Sequence, residues 1–100
     1  MEFIYHVTTL AEWELAQKED FYKAASLDIE GFIHCSTTHQ VDGVLERYFS
    51  GKNDLIKLTI DPNKLNSKLI FELSPSMNQE FPHVFGVINL DSIINAEQIR

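Results

Sequence analysis

Cysteine, arginine and glycine are scarce in this chain of 100 residues, numbering one, two and four. A single thiol, Cys35, excludes an internal disulfide and any metal site built from several thiolates. Basic charge is in short supply as well: eight Lys and Arg stand against fifteen Asp and Glu, a formal charge of −7. Binding along a duplex works by neutralising phosphates with clustered cations, so no duplex nucleic acid is expected as a partner. A small phosphorylated ligand needs less, because backbone amides or one local cation can hold it. No apolar run approaches membrane-spanning length, and the opening MEFIYHV lacks the basic-then-apolar order of a secretion signal. The expectation is no membrane association and a cytoplasmic location.

Familiar high-specificity motifs are missing too. There is no phosphate-cradling loop ending in Gly-Lys-Ser/Thr, no dinucleotide fingerprint of glycines, no paired-histidine zinc helix and no nucleophile elbow. Whatever chemistry the chain performs must rest on histidines and hydroxyls.

What is present is ample material for one core: 44% apolar residues, including seven Phe, three Tyr and one Trp. Residues 1–100 read as a single domain without repeat or linker. FIYHV at the start is aromatic and branched, hence a strand. Thr9 with Glu12 forms a capping-box pattern, and Leu10, Trp13 and Ala16 share one face of a helix running from about Thr9 to Lys18. Residues 21–30 are irregular, and Gly31 opens a short strand, FIHC. A second capping-box pair, Thr37 and Gln40, starts a helix whose apolar side is Val41, Val44, Leu45, Tyr48 and Phe49, with Gly51 ending it. DLIKLTI and KLIFEL follow as strands, SPSMNQEFPH as a long polar loop, and VFGVINL and SIINAEQI as the last strands. Two helices among six strands predict an α+β fold with a mostly antiparallel sheet, although a βαβ crossover in the first half also fits.

Two H-x-[ST] pairs stand out. His6 with Thr8, and His34 with Ser36, each share a strand face by the period of two, and each lies just before a capped helix. Two imidazoles and two hydroxyls so placed suit a ligand bearing ribose hydroxyls and phosphates. They equally suit histidines that bond buried carbonyl groups. Cys35 faces away from His34, which makes a Cys-His nucleophile pair geometrically poor, and His34, Cys35 and His39 are too scattered for a metal. Glu72 ends its strand as the carboxylate best placed for sugar chemistry, where a negative charge stabilises an oxocarbenium-like transition state; as an exposed strand residue it would do nothing. His83 follows a proline in FPHVFG, where a restrained backbone could close a pocket or simply leave the ring in solvent.

The set IYHVT, Trp13, SLDIEGFIHCST, Gln40, FPHVFG and NLD resembles the DUF952 family over nearly the whole chain. More distantly, YHVT followed by FIHCS is similar to the paired histidine motifs of RNA 2′-phosphotransferases, which have an ADP-ribosyltransferase-like fold and use NAD. That likeness implies His6 and Thr8 as the first ribose-holding motif and His34 and Ser36 as the second. The phosphotransferase arginines have no counterpart here, nor has the catalytic glutamate of other branches. The resulting expectation is a small nucleotide-like partner, with NAD as cofactor, bound by His6, Thr8, His34, Ser36 and His83. If turnover occurs, His34, His6 and Glu72 carry it. The alternative is a non-enzymatic module whose histidines are structural.

Overall fold

The computed structural model describes residues 2–100. Strand β1 (Ile4–Thr9) pairs antiparallel with β4 (Leu55–Ile60) in continuous register from Ile4↔Ile60 to Thr9↔Leu55. β4 also pairs with β8 (Ile93–Gln98), so it is the middle of three strands. That position explains its sequence: Leu55, Ile56, Leu58 and Ile60 are all buried. A second sheet has the order β3 (Ile33–His34), β6 (Gln79–Val84), β5 (Leu69–Ser74), and β2 (Phe21–Tyr22) pairs with β7 (Ile88–Asn89) as a small third one. Every pairing is antiparallel. Tyr5 and Ser36 exchange two backbone hydrogen bonds, of 2.8 and 2.7 Å, which joins β1 to the end of β3.

Among the described residues, the predicted single sheet is therefore three small sheets, and the α-helices number three. α1 (Leu10–Glu19) matches its expected bounds; Thr9 caps it by accepting from the Glu12 N–H, and Asp20 closes it in the left-handed region. The stretch read as irregular contains β2 and α2 (Ala25–Glu30), a six-residue helix with no side-chain cap at its start and only Gly31 at its end, at φ +90°. A helix this short carries too little periodicity to be seen in sequence. α3 (Val41–Tyr48) starts four residues later than Thr37. Thr37–Gln40 instead closes a turn, in which Gln40 Oε1 accepts from the Thr37 N–H.

The expected long loop is mostly strand. Gln79–Val84 pairs with β5 along its whole length, leaving only residues 75–78 as the hairpin turn. Pro82 sits within this strand. In an antiparallel strand, a residue's N–H and C=O point to the same side; the Pro82 carbonyl accepts from Cys35 N–H at 2.9 Å, so the missing donor faces the short strand β3 and breaks no bond to β5. VFGVINL is likewise not one strand: β6 stops at Val84, and only Ile88–Asn89 pairs again.

Buried residues from all three sheets and from α1 form one cluster, with Ile4, Ala16, Tyr22, Ile33, Leu58, Ile60, Val84 and Ile88 among them. Leu10 and Trp13 pack against it, as the helical face predicted. A smaller cluster of Val7, Val41 and Leu55 holds α3 in place. Among the described residues, no helix is long and apolar enough to cross a membrane.

Candidate functional site

Strand alternation around β3 and β6 sorts two sets of side chains. Ile33 and Val84 face the core and are fully buried, whereas His34 and its cross-strand partner His83 face the other way. Phe32 lies two residues before His34. On β5, Glu72 pairs with Phe81, which places it diagonally across from His83 on the same face. A cleft of about 610 Å³ opens over this face. Its walls are β3 and β6 on one side, α3 on another, and the β5–β6 hairpin turn at the rim, and among the lining residues are His6, His34, Ser36 and His83.

His83 is held by its neighbours. Its Nδ1–H donates to Glu72 Oε1 at 2.8 Å, and Phe32 stacks on its ring at 4.1 Å between centroids and 16° between planes. Nε2 has no protein partner, and among the described residues no side-chain nitrogen is both sealed from solvent and unpaired. The lone pair on Nε2 therefore opens onto the cleft, with the tautomer set by Glu72. His34 is arranged similarly: its Nε2 bonds Glu30, the last residue of α2, which leaves Nδ1 unbonded on a half-exposed ring. The two imidazoles meet edge to face, with centroids 5.2 Å apart. The imidazoles of two carboxylate–imidazole dyads thus share one cleft, in which, among the described residues, no Lys or Arg is a lining residue.

His6 has a different environment. Its Nδ1–H donates to the backbone carbonyl of His34 at 2.5 Å, and Nε2 lies 2.8 Å from the Tyr22 hydroxyl. Burial lowers its pKa from 6.5 to about 4, outweighing the opposing pull of the His34 carbonyl, so the ring is neutral and Nε2 accepts. Tyr22 must then donate to His6. The 2.9 Å contact between Tyr22 and Thr8 consequently takes the Thr8 hydroxyl as donor. Thr8, Tyr22, His6 and the His34 carbonyl form one buried, directional chain that ties β1 to β3.

The six candidate positions therefore separate into layers. His34, Ser36 and His83 line the cleft; His6 lines it at its base, with both nitrogens occupied; Thr8 sits behind His6, and Glu72 behind His83. His39 belongs to a separate depression near Glu2 and Phe71. Cys35 is buried in the core, which pushes its thiol up to about 12. Among the described residues, no group of three potential ligands comes close enough to hold a metal ion.

Sequence reasoning missed Glu30, Tyr22 and Phe32. Phe32 was within reach, since the same alternation that pairs His34 with Ser36 puts residue 32 on their face. Glu30 was hidden inside a helix that the pattern does not reveal, and the Tyr22 hydroxyl meets His6 only through long-range packing.

Fold and cleft together define a class: a small α+β domain of three antiparallel sheets and three helices, with histidines gathered over one sheet face. The chain belongs to the DUF952 family, described as "Protein of unknown function (DUF952)", whose model matches residues 7–96. The crystal structure of protein CC0527 from Caulobacter crescentus is similar, with 25% identity, a TM-score of 0.87, and coverage of 96% of this chain and 84% of that one. The solution NMR structure of CC0527 gives 25% identity and a TM-score of 0.83, with 98% and 84% covered. No curated protein matches the chain. The DUF952 resemblance drawn from the sequence holds.

Proposed function

We propose that the cleft binds NAD, ADP-ribose or a related nucleotide, with His34, Ser36 and His83 facing the ligand and His6, Thr8 and Glu72 holding them in place. The observation that carries this reading is the convergence of three of the four histidines on one cleft of about 610 Å³, within the range of small-molecule sites. The hydroxyls of Ser26, Ser36, Ser74 and Ser76 line the same space and offer partners for ribose hydroxyls. The sequence likeness of YHVT and FIHCS to the histidine motifs of RNA 2′-phosphotransferases supports the same ligand class.

The test is a titration with NAD, ADP-ribose and nicotinamide followed by NMR. Shifts confined to residues 32–36, 81–83 and the hairpin turn are expected, together with at least tenfold weaker binding in His34→Ala, the loss of about 1.4 kcal/mol. No response to any of the three ligands, or a response unchanged in that variant, would overturn the reading.

His6 alone favours the structural alternative, because both its nitrogens are already bonded within the protein. For that residue the expected effect of His6→Ala is a stability loss of about 1–3 kcal/mol, the cost of leaving buried partners unsatisfied.

A further inference from the structure

We infer that His83, oriented by Glu72, is the general base of the cleft, and that the portion of the ligand it meets is an uncharged, hydroxyl-bearing group rather than a phosphate. The inference rests on the cleft being a ligand site and adds the chemistry done there.

Three observations carry it. The Glu72 carboxylate fixes Nδ1 as the protonated nitrogen, so the lone pair of Nε2 is the one that opens onto the cleft. Stacking on Phe32 holds the ring plane, and the side chain is only 7% exposed, so the base is positioned before a ligand arrives. The charged groups that bond the two cleft imidazoles are carboxylates, Glu72 from β5 on His83 and Glu30 from α2 on His34, whereas Arg47 and Lys52 sit over the Tyr48 and Phe49 rings at the end of α3. The carboxylates on these imidazoles disfavour a phosphate beside His83 Nε2 and tolerate a ribose hydroxyl or a water there.

In the assigned step, the O–H bond of that hydroxyl or water breaks. The proton forms a new bond to Nε2, the electron pair stays with oxygen, and Glu72 offsets the charge of the resulting imidazolium. Glu72 is a positioning residue. The Glu30–His34 dyad, 5.2 Å away between rings, is the neighbouring group able to hand a proton back.

A substrate-independent test uses 5-nitrobenzisoxazole, an uncharged aromatic probe that opens when a base removes its C–H proton and its N–O bond breaks to a nitrophenolate. Wild-type protein is expected to exceed the same concentration of free imidazole by at least about tenfold. His83→Gln should lose that excess, and His39→Ala, outside the cleft, should keep it. Glu72 is 44% exposed, so Glu72→Ala leaves the fold in place. In long-range ¹H–¹⁵N spectra at alkaline pH, the His83 ring of that variant should shift from the Nδ1–H to the Nε2–H tautomer, the probe rate should fall with it, and Glu72→Asp should restore both. A rate no greater than that of imidazole, an unchanged rate in His83→Gln, or an unmoved tautomer in Glu72→Ala would overturn the inference. The probe is no nucleotide, so failure of NAD to bind leaves these outcomes readable on their own.

Discussion

His6 shows how one side chain can carry a chemical signature and still be committed to structure. Neutral in the folded protein with a pKa of about 4, it returns to 6.5 on unfolding. Between those values the unfolded chain binds more protons than the folded one, so His6 contributes its full stability above about pH 6.5 and loses it as pH falls towards 4. The expected loss is about 3 kcal/mol across that window, measured as the difference in urea-unfolding free energy between wild type and His6→Gln, in which this dependence should vanish. Tyr22→Phe tests the same chain from its middle. Without the hydroxyl, Thr8 and His6 Nε2 both lose a partner, and destabilisation of about 1–3 kcal/mol at neutral pH is expected by thermal unfolding.

Elements bring the two dyads together, and the link between α2 and β3 is the critical one. Gly31 at φ +90° turns the chain so that Glu30, at the helix end, meets His34 on the strand. Any side chain there strains the left-handed backbone, so Gly31→Ala should cost about 1–2 kcal/mol and loosen the Glu30–His34 pair, visible as altered His34 ring signals by NMR. On the opposite wall, Gln40 accepts from the Thr37 N–H and donates to the Glu80 carbonyl at 2.8 Å, tying the start of α3 to β6. Faster amide exchange in residues 74–80 of Gln40→Ala is the expected outcome, with little change elsewhere. The apolar side of α3 that the sequence displays is divided by this packing: Val41 and Leu45 enter a core cluster, whereas Val44 and Tyr48 face the cleft.

At the scale of the whole molecule, three sheets too small to stand alone share one core, and β4 is its centre. Leu58, fully buried at the middle of that strand, is the sensitive position; Leu58→Ala should cost about 2–5 kcal/mol by urea unfolding. Cys35 provides an internal reporter of the same cooperativity. With its thiol pushed up to about 12 by burial, it should resist a disulfide reagent in native protein and react through the unfolding transition, at the midpoint seen by circular dichroism.

Local pattern determined a good deal of this protein. Branched and aromatic alternation located β1, β4, β5 and β8; the Thr9–Glu12 box located α1; the period of two placed His34 with Ser36, and turned Cys35 away from them. These are properties of neighbours in sequence, carried by backbone geometry that needs no distant partner. Tertiary structure decided the rest. α2 exists because packing and Gly31 close a helix too short to announce itself, and Pro82 can sit in a strand because its missing donor faces only the short strand β3. The two H-x-[ST] pairs that looked equivalent acquired different tasks for the same reason: Tyr22 and the His34 carbonyl reach His6 across long stretches of chain and occupy both its nitrogens. Glu30 and Glu72 leave His34 and His83 each one nitrogen free towards a shared cleft.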